Sequence, residues 1–230
     1  MPVKEGDFIR LSYTARGYGT VFDTTSKADA QEAGIFDENK KYEPIVVCAG
    51  KQQVLLGLDE AIIGKEAGFE ETIEIPAEKA FGEREQERIR SYEKKIFKEK
   101  PTVGVRVSIP NVGEGMVVKM IGNRVLVDFN HPLAGQSLTY NYRIEEFVES
   151  AQEQVKGIIE IYTGIETEIT IQDKAVLVDL PVGIYHYSKR WLTSSPYVTS
   201  AIFDLVDGID EVKYIETYKM PEKKTETSTE

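Results

Sequence analysis

At Glu83 the chain changes character, and that change constrains the fold more than any other feature. Up to this point the sequence alternates apolar and polar residues between turns. The run "EREQERIRSYEKKIFKEKP" that follows is dense in charge, with Ile89, Tyr92, Ile96 and Phe97 at intervals of three or four. That spacing predicts a helix ended near Pro101. Three short β-runs come next, "VGVRVSIP", "GMVVKMI" and "NRVLVDF", separated by Gly- or Asn-containing turns. A helix and three strands make one small unit, and after it the earlier alternation resumes at "SLTYNYRIEEFVES", with Leu138, Tyr140, Tyr142 and Ile144 on one face.

The first part of the chain reads as sheet and helix. Residues 3 to 16 alternate as a strand, and "RGYGT" turns the chain into "VFDTT". Thr24 to Tyr42 is a polar surface loop with room for one short helix, "YEPIVVCAG" is a strand, and Lys51 to Ile63 carries Val54, Leu55, Leu58 and Ile62 at helical spacing. "EAGFEETIEIPAEKAFGE" is a further strand, with Ile73 and Ile75 inward and Thr72 and Glu74 outward, closed by Pro76 and a turn at Phe81 and Gly82. Beyond Ala151 lies a helix, a strand pair about Gln172 to Lys174, two helices broken at Ser195 and Pro196, and the closing strand "EVKYIETYK". This is an α+β domain of its own, followed by a disordered tail at 221–230.

Composition removes several classes of function. The 230 residues are 41% hydrophobic and 29% charged, a globular balance. A formal charge of −11 argues against a nucleic-acid partner, whose affinity comes from Lys and Arg. No signal segment opens the chain, and no apolar run approaches the ~20 residues a membrane span needs, so the expected location is cytoplasmic with no membrane partner. The lone Cys48, inside "PIVVCAG", reads as a small buried hydrophobe and not as a nucleophile. One cysteine and two histidines, His131 and His186, leave neither a metal nor another cofactor expected. No nucleophile elbow, zincin helix or phosphate loop is present. The break "DFNHPLAGQ" raises two readings for His131: a reactive histidine, or part of a device that returns the chain from the small unit.

Taken in order, "SYTARGYGTVFDTT", "EPIVVCAGKQQVLLGLDEAI", "AEKAFGE" and "LTYNYRI" resemble the FKBP-type peptidyl-prolyl cis-trans isomerases. The interruption after the A-F-G turn, closed by "NHPLAGQSLTY", resembles the SlyD-like branch, whose insert-in-flap domain sits there. The extra C-terminal segment resembles the long-type archaeal FKBPs. The resemblance implies an α+β fold: an antiparallel β-sheet wrapped on a short helix, interrupted by a small β-rich insert, plus a C-terminal α+β domain. Its divisions are 1–83 and 130–150 for the isomerase domain, 84–129 for the insert, and 151–220 for the C-terminal domain. It implies catalytic roles for Tyr13, Phe22, Asp23, Leu58, Phe81 and Tyr140, and substrate contacts for Ile45, Val54, Leu55, His131, Leu133 and Ala134. Two positions depart from the family pattern: Leu58 stands where an indole often forms the floor, and Phe81 stands where a tyrosine usually offers a hydroxyl.

Asp23 retains two readings, a local cap for Thr25 or Ser26 and a group at the pocket edge. In the insert, Ile96, Phe97, Val105, Val107, Ile109, Met116, Val117, Val118 and Met120 are either a small core or a surface for unfolded chains. The chaperone-surface reading takes Ile96, Phe97, Val105, Val107, Met116, Val118 and Met120. Trp191, Tyr185, Tyr187 and Tyr197 suggest a homodimer contact in the C-terminal domain. The expected function is prolyl isomerisation in unfolded or nascent polypeptides, with client holding by the insert. The alternatives are a holdase or a proline-peptide binding module with little turnover. The nickel-handling role of some SlyD-like proteins depends on a His-rich tail, and "KMPEKKTETSTE" has no histidine.

Overall fold

The computed structural model describes residues 1–220, so the expectation for residues 221–230 lies outside the described residues. In chain order the elements are β1 (Phe8–Gly17), β2 (Thr20–Thr24), α1 (Lys27–Glu32), β3 (Ile45–Cys48), α2 (Leu56–Ile62), β4 (Glu70–Ile75), β5 (Ile89–Glu93), β6 (Arg106–Ile109), β7 (Gly113–Ile121), β8 (Arg124–Asp128) and β9 (Leu138–Phe147). The last seventy described residues add α3 (Ala151–Thr163), β10 (Glu168–Gln172), β11 (Ala175–Leu180), α4 (Ile184–Tyr187), α5 (Lys189–Leu205) and β12 (Glu211–Glu216).

The first sheet is antiparallel, in the order β2-β1-β9-β4, and β3 pairs with β1 beside β2. The long β1 makes this possible: Phe8 to Leu11 pair with β3, and Thr14 to Gly17 pair with β2. The expected inward face of β9 is buried throughout, with Leu138, Tyr140, Tyr142 and Ile144 packed around Leu58 and Ile62 of α2. At Gly57 an added Cβ would lie 2.4 Å from the Ile75 side chain, so a glycine lets α2 settle onto β4.

The run "IVVC" of β3 is buried on both faces. Val47, with Ile45 beside it, belongs to the α2 side, and Val46 and Cys48 belong to a second core shared with α3, β10, β11 and α5. Phe8 and Val148 join that second core. The C-terminal domain therefore packs on the back of the first sheet through a shared core. Cys48 is fully buried, and burial pushes its thiol up to about 11, which fits an inert side chain.

The charged run after Glu83 is not a helix. It forms β5 between two short 3-10 turns and pairs antiparallel with β8, from Ile89 opposite Asp128 to Glu93 opposite Arg124. The helical intervals arise because Tyr92 from the strand and Phe97 from the turn after it converge on one small core of Val117, Val125 and Val127. Ladder bonds to β8 outweigh the helical propensity of Glu, Lys and Arg. The insert is thus a four-stranded sheet, β5-β8-β7-β6.

A second correction concerns the C-terminal helices. The break falls at Ser188, whose hydroxyl accepts from the Trp191 N–H at 3.1 Å, and α5 runs on through Pro196. Pro196 lies on the exposed side, where the carbonyl it frees can meet water, while Trp191, Val198 and Ile202 anchor the opposite face. β12 returns parallel to β11, a crossover through α4 and α5.

Candidate functional site

The site starts at the β1–β2 hairpin. Tyr13 and Asp23 stand on neighbouring strands, near a bulge between Ala15 and Arg16. The Tyr13 phenol donates to Asp23 Oδ2 at 2.7 Å, and Thr24 N–H donates to Oδ1 at 3.0 Å. Lys40, from the loop before β3, places Nζ 2.5 Å from the same Oδ1. Burial raises the Tyr13 pKa far above its ordinary value, and the Asp23 charge and hydrogen bond raise it further, so the phenol stays a proton donor. Ser26 caps α1 with its own hydroxyl, which accepts from Asp29 N–H. Asp23 bonds locally to Thr24 and not to Thr25 or Ser26, and its other contacts face Tyr13 and Lys40. Lys40 was not legible in the sequence, because it reaches Asp23 only through a loop conformation.

Around this pair the aromatic side chains form a chain of contacts. Ring centroids lie 5.7 Å apart for Tyr13 and Tyr140, 6.3 Å for Phe22 and Tyr140, and 6.1 Å for Phe22 and Phe81. The last two meet edge to face, a favourable arrangement. Leu58 is buried below, and Ile45, Val54 and Leu55 are half-buried against the same core. Tyr140 is buried, and its pKa is raised by burial and by Asp23. Five of the six residues to which the resemblance gives catalytic roles, Tyr13, Phe22, Leu58, Phe81 and Tyr140, thus share one apolar core, and Asp23 meets it through the Tyr13 hydroxyl. Leu55 N–H, just ahead of α2, has no acceptor among the described residues.

The return segment supplies the remaining contacts. The His131 ring stacks on Phe81 at 3.9 Å between centroids, and its Nδ1 accepts from Leu133 N–H at 3.2 Å, which places the neutral ring's proton on Nε2. Leu133 packs against the aromatic core and Ala134 is buried. Gly17 permits this approach: a Cβ there would lie 3.0 Å from Leu133 and 3.5 Å from Phe22.

Entry to and exit from the insert are tied together. Asn130 Oδ1 accepts from Glu85 N–H at 3.0 Å, Asn130 Nδ2 donates to Glu85 O at 2.9 Å, and Gly135 N–H donates to Gly82 O at 2.8 Å. Arg84 forms an ion pair with the nearly buried Asp128. The stretch around His131 is thus a chain return whose histidine also touches the aromatic core.

In the insert the expected apolar surface divides. Ile109 and Val117 are buried, and Phe97, Val107 and Met120 pack against the small core. Val118 is half-buried, while Ile96, Val105 and Met116 are exposed, as are Val103, Val112 and Ile121, which the sequence reading left out. In the C-terminal segment Trp191 is fully buried, with its ring edge to face with Tyr214, whereas Tyr185 and Tyr197 are exposed. The Tyr187 side chain lies outside the described residues. Among the described residues there is no group of His, Cys, Asp and Glu arranged to hold a metal, and no helix long and apolar enough to cross a membrane.

A family model for FKBP-type peptidyl-prolyl cis-trans isomerase matches residues 1–100, one for "FKBP26, IF domain" matches 92–133, and one for "FKBP26_C-terminal" matches 151–219. A short-type peptidyl-prolyl cis-trans isomerase of Methanocaldococcus jannaschii is 31% identical over 147 residues, covering 63% of this chain and 93% of the relative. The SlyD isomerase of Helicobacter pylori is 31% identical over 126 residues, covering 53% and 68%. That of Haemophilus influenzae is 25% identical over 160 residues, covering 67% and 77%. The chain belongs to the FKBP-type peptidyl-prolyl cis-trans isomerases, with an insert-in-flap unit and an additional C-terminal segment, and catalyses rotation about prolyl bonds in polypeptide substrates.

Proposed function

We propose that the aromatic core around Tyr13, Phe22, Leu58, Phe81 and Tyr140 holds the proline ring, with Ile45, Val54, Leu55, His131, Leu133 and Ala134 around the bound segment. Rotation about an X-Pro amide faces a barrier of about 18–20 kcal/mol because resonance must be broken, and no covalent bond has to be made. The planar amide is the more charge-separated form. A pocket without water disfavours it relative to the twisted transition state, and a Leu55 N–H free of other acceptors is available to the substrate carbonyl. Asp23, held by Tyr13 and Lys40, orients the segment at the rim. The observation that carries this reading is the unbroken contact chain from Asp23 through Tyr13, Tyr140 and Phe22 to Phe81.

Residues 84–129 form the unit that holds unfolded clients. This is supported by six exposed aliphatic or Met side chains around a core of only three fully buried valines. The C-terminal segment also mediates a homodimer, supported by exposed Val182, Tyr185, Leu192, Tyr197 and Phe203. A cytoplasmic setting fits the single buried cysteine. The test is a deletion of residues 84–129. Turnover of a short Phe-Pro peptide persists, and suppression of aggregation and catalysis of protein refolding are lost; an unchanged refolding rate overturns the client role.

A further inference from the structure

The insert carries a charge opposite to that of the chain around it. From Arg84 to Asp128 there are ten Lys and Arg against six Asp and Glu, a formal +4 within a chain of −11, so the remainder carries −15. Among the described residues three of those ten cations have a carboxylate within 4.0 Å: Arg84 with Asp128, Arg88 with Glu85 and Lys95 with Glu93. Among the described residues that leaves seven cations of the insert unpaired, against the three anions Glu87, Glu99 and Glu114.

One unpaired cation lines a cavity next to the candidate active site. The cavity, of about 290 Å³, has Arg106, Glu114, Met116 and Val118 of the insert sheet on one side, and His131 and Pro132 of the return segment on the other. The Arg84–Asp128 pair also lines it and neutralises itself, and Glu114 sets one carboxylate in the same wall without an ion pair to Arg106. The net attraction for an acidic client therefore comes from the field of the whole insert, and Arg106 supplies the local contact. His131 both lines the cavity and stacks on Phe81, so the cavity adjoins the aromatic core at that ring. Arg106 stands opposite Met116 in the β6–β7 ladder, a guanidinium beside an apolar wall.

We propose that this cavity is an extended subsite for acidic side chains flanking the isomerising proline, with Arg106 as the specificity-determining residue and the positive insert as the steering field. The inference rests on the insert being the client-binding unit. The acidic remainder repels an acidic client on average, whereas the net-positive insert attracts it within a Debye length of ~8–10 Å. A polypeptide fits better than a single-stranded nucleic acid. The unpaired cations alternate with exposed Ile96, Val103, Val105, Met116 and Ile121, and no aromatic ring of the insert is exposed for base stacking, since Tyr92, Phe97 and Phe129 pack on its core.

The test uses the full chain and matched Phe-Pro peptides carrying a run of Glu or of Lys on either side of the proline. The readout is the Glu-to-Lys ratio of kcat/KM within each variant, so a general loss of activity cancels. The ratio is expected to exceed unity several-fold on at least one side and to approach unity in about 0.5 M salt. It should fall roughly tenfold in Arg106→Glu and persist in Arg106→Lys. A ratio of one on both sides, a ratio unmoved by Arg106→Glu, or tighter binding of an oligouridine than of the Glu peptide overturns the proposal. Should the deletion of residues 84–129 abolish client holding while the ratio stays at one, client capture stands and only the acidic subsite is lost.

Discussion

The Tyr13 phenol and the Asp23 carboxylate face each other across the first hairpin at 2.7 Å, and Lys40 closes on the same carboxylate from a loop seventeen residues further on. Three donors, counting Thr24 N–H, leave the carboxylate fixed in orientation. A hydrogen bond to a charged group contributes about 1.5–3 kcal/mol. Asp23→Ala and Tyr13→Ala are therefore each expected to lower kcat/KM for a Phe-Pro peptide by roughly tenfold or more, with Tyr13→Phe retaining the ring and losing less. Peptide turnover measures this, and unchanged rates in both alanine variants would sink the site.

His131 is expected to set an acid limit. Its pKa is lowered, first by burial and then by the Arg106 charge, so the folded protein favours the neutral ring. The stability linked to it is full above about 6.5, the ordinary histidine value, and is lost as pH falls below that. Protonation removes the Nδ1 lone pair that accepts from Leu133 N–H. Activity is expected to fall as the ring charges and His131→Phe to flatten that limb, measured as a pH profile of kcat/KM.

The seam responds to acid at a lower pH. Burial alone would raise the Asp128 pKa, but hydrogen bonds from Asn130 and the Arg84 charge outweigh it and hold the carboxyl below its usual value near 3.8. This stabilisation is complete above about 3.8 and fades as pH drops through the lower folded value. Asp128→Asn keeps the shape and removes the charge. It should loosen the insert by about 1–3 kcal/mol, seen as faster amide exchange across β5 and β8 with little change at α2.

Gly157 of α3 tests the join between the isomerase sheet and the C-terminal segment. An added Cβ would lie 2.5 Å from the Val46 Cβ and 3.1 Å from its carbonyl oxygen. In an open helix Gly→Ala gains up to ~1 kcal/mol. Here overpacking costs about 1–3 kcal/mol, so Gly157→Ala is expected to lower the thermal midpoint. A raised midpoint would show that α3 shifts freely from β3.

Self-association is checked away from that join, because a chain ended at Ser150 would bare Phe8, Val46, Cys48 and Val148. Leu192→Glu combined with Phe203→Glu charges the exposed side of α5 and leaves the core intact. Sedimentation should show a dimer for the parent chain and a monomer for the variant; equal masses refute dimerisation through this helix.

Much of this was written in alternation and turns. β9 was legible because Leu138, Tyr140, Tyr142 and Ile144 repeat with the pleat, and the aromatic core followed from the ordered resemblance. What failed did so for lack of tertiary information. The charged run after Glu83 has helical spacing, yet its backbone partners lie some thirty-five residues away in β8. Pro196 breaks helices in isolation, but here the face opposite it is anchored by Trp191 and Val198. Lys40 and the Phe81–His131 stack are contacts between loops, and loop conformation leaves no periodic trace in sequence.

The double-sided burial of β3 carries a consequence for the shape of related chains. A relative that stops near residue 150 turns the Phe8, Val46 and Cys48 side of its sheet toward water, and a greasy strip there would glue copies together. Such a chain needs polar or charged side chains at those places. The character of alternate residues in one short strand therefore tells whether a relative was shaped to carry a third unit or to live without it.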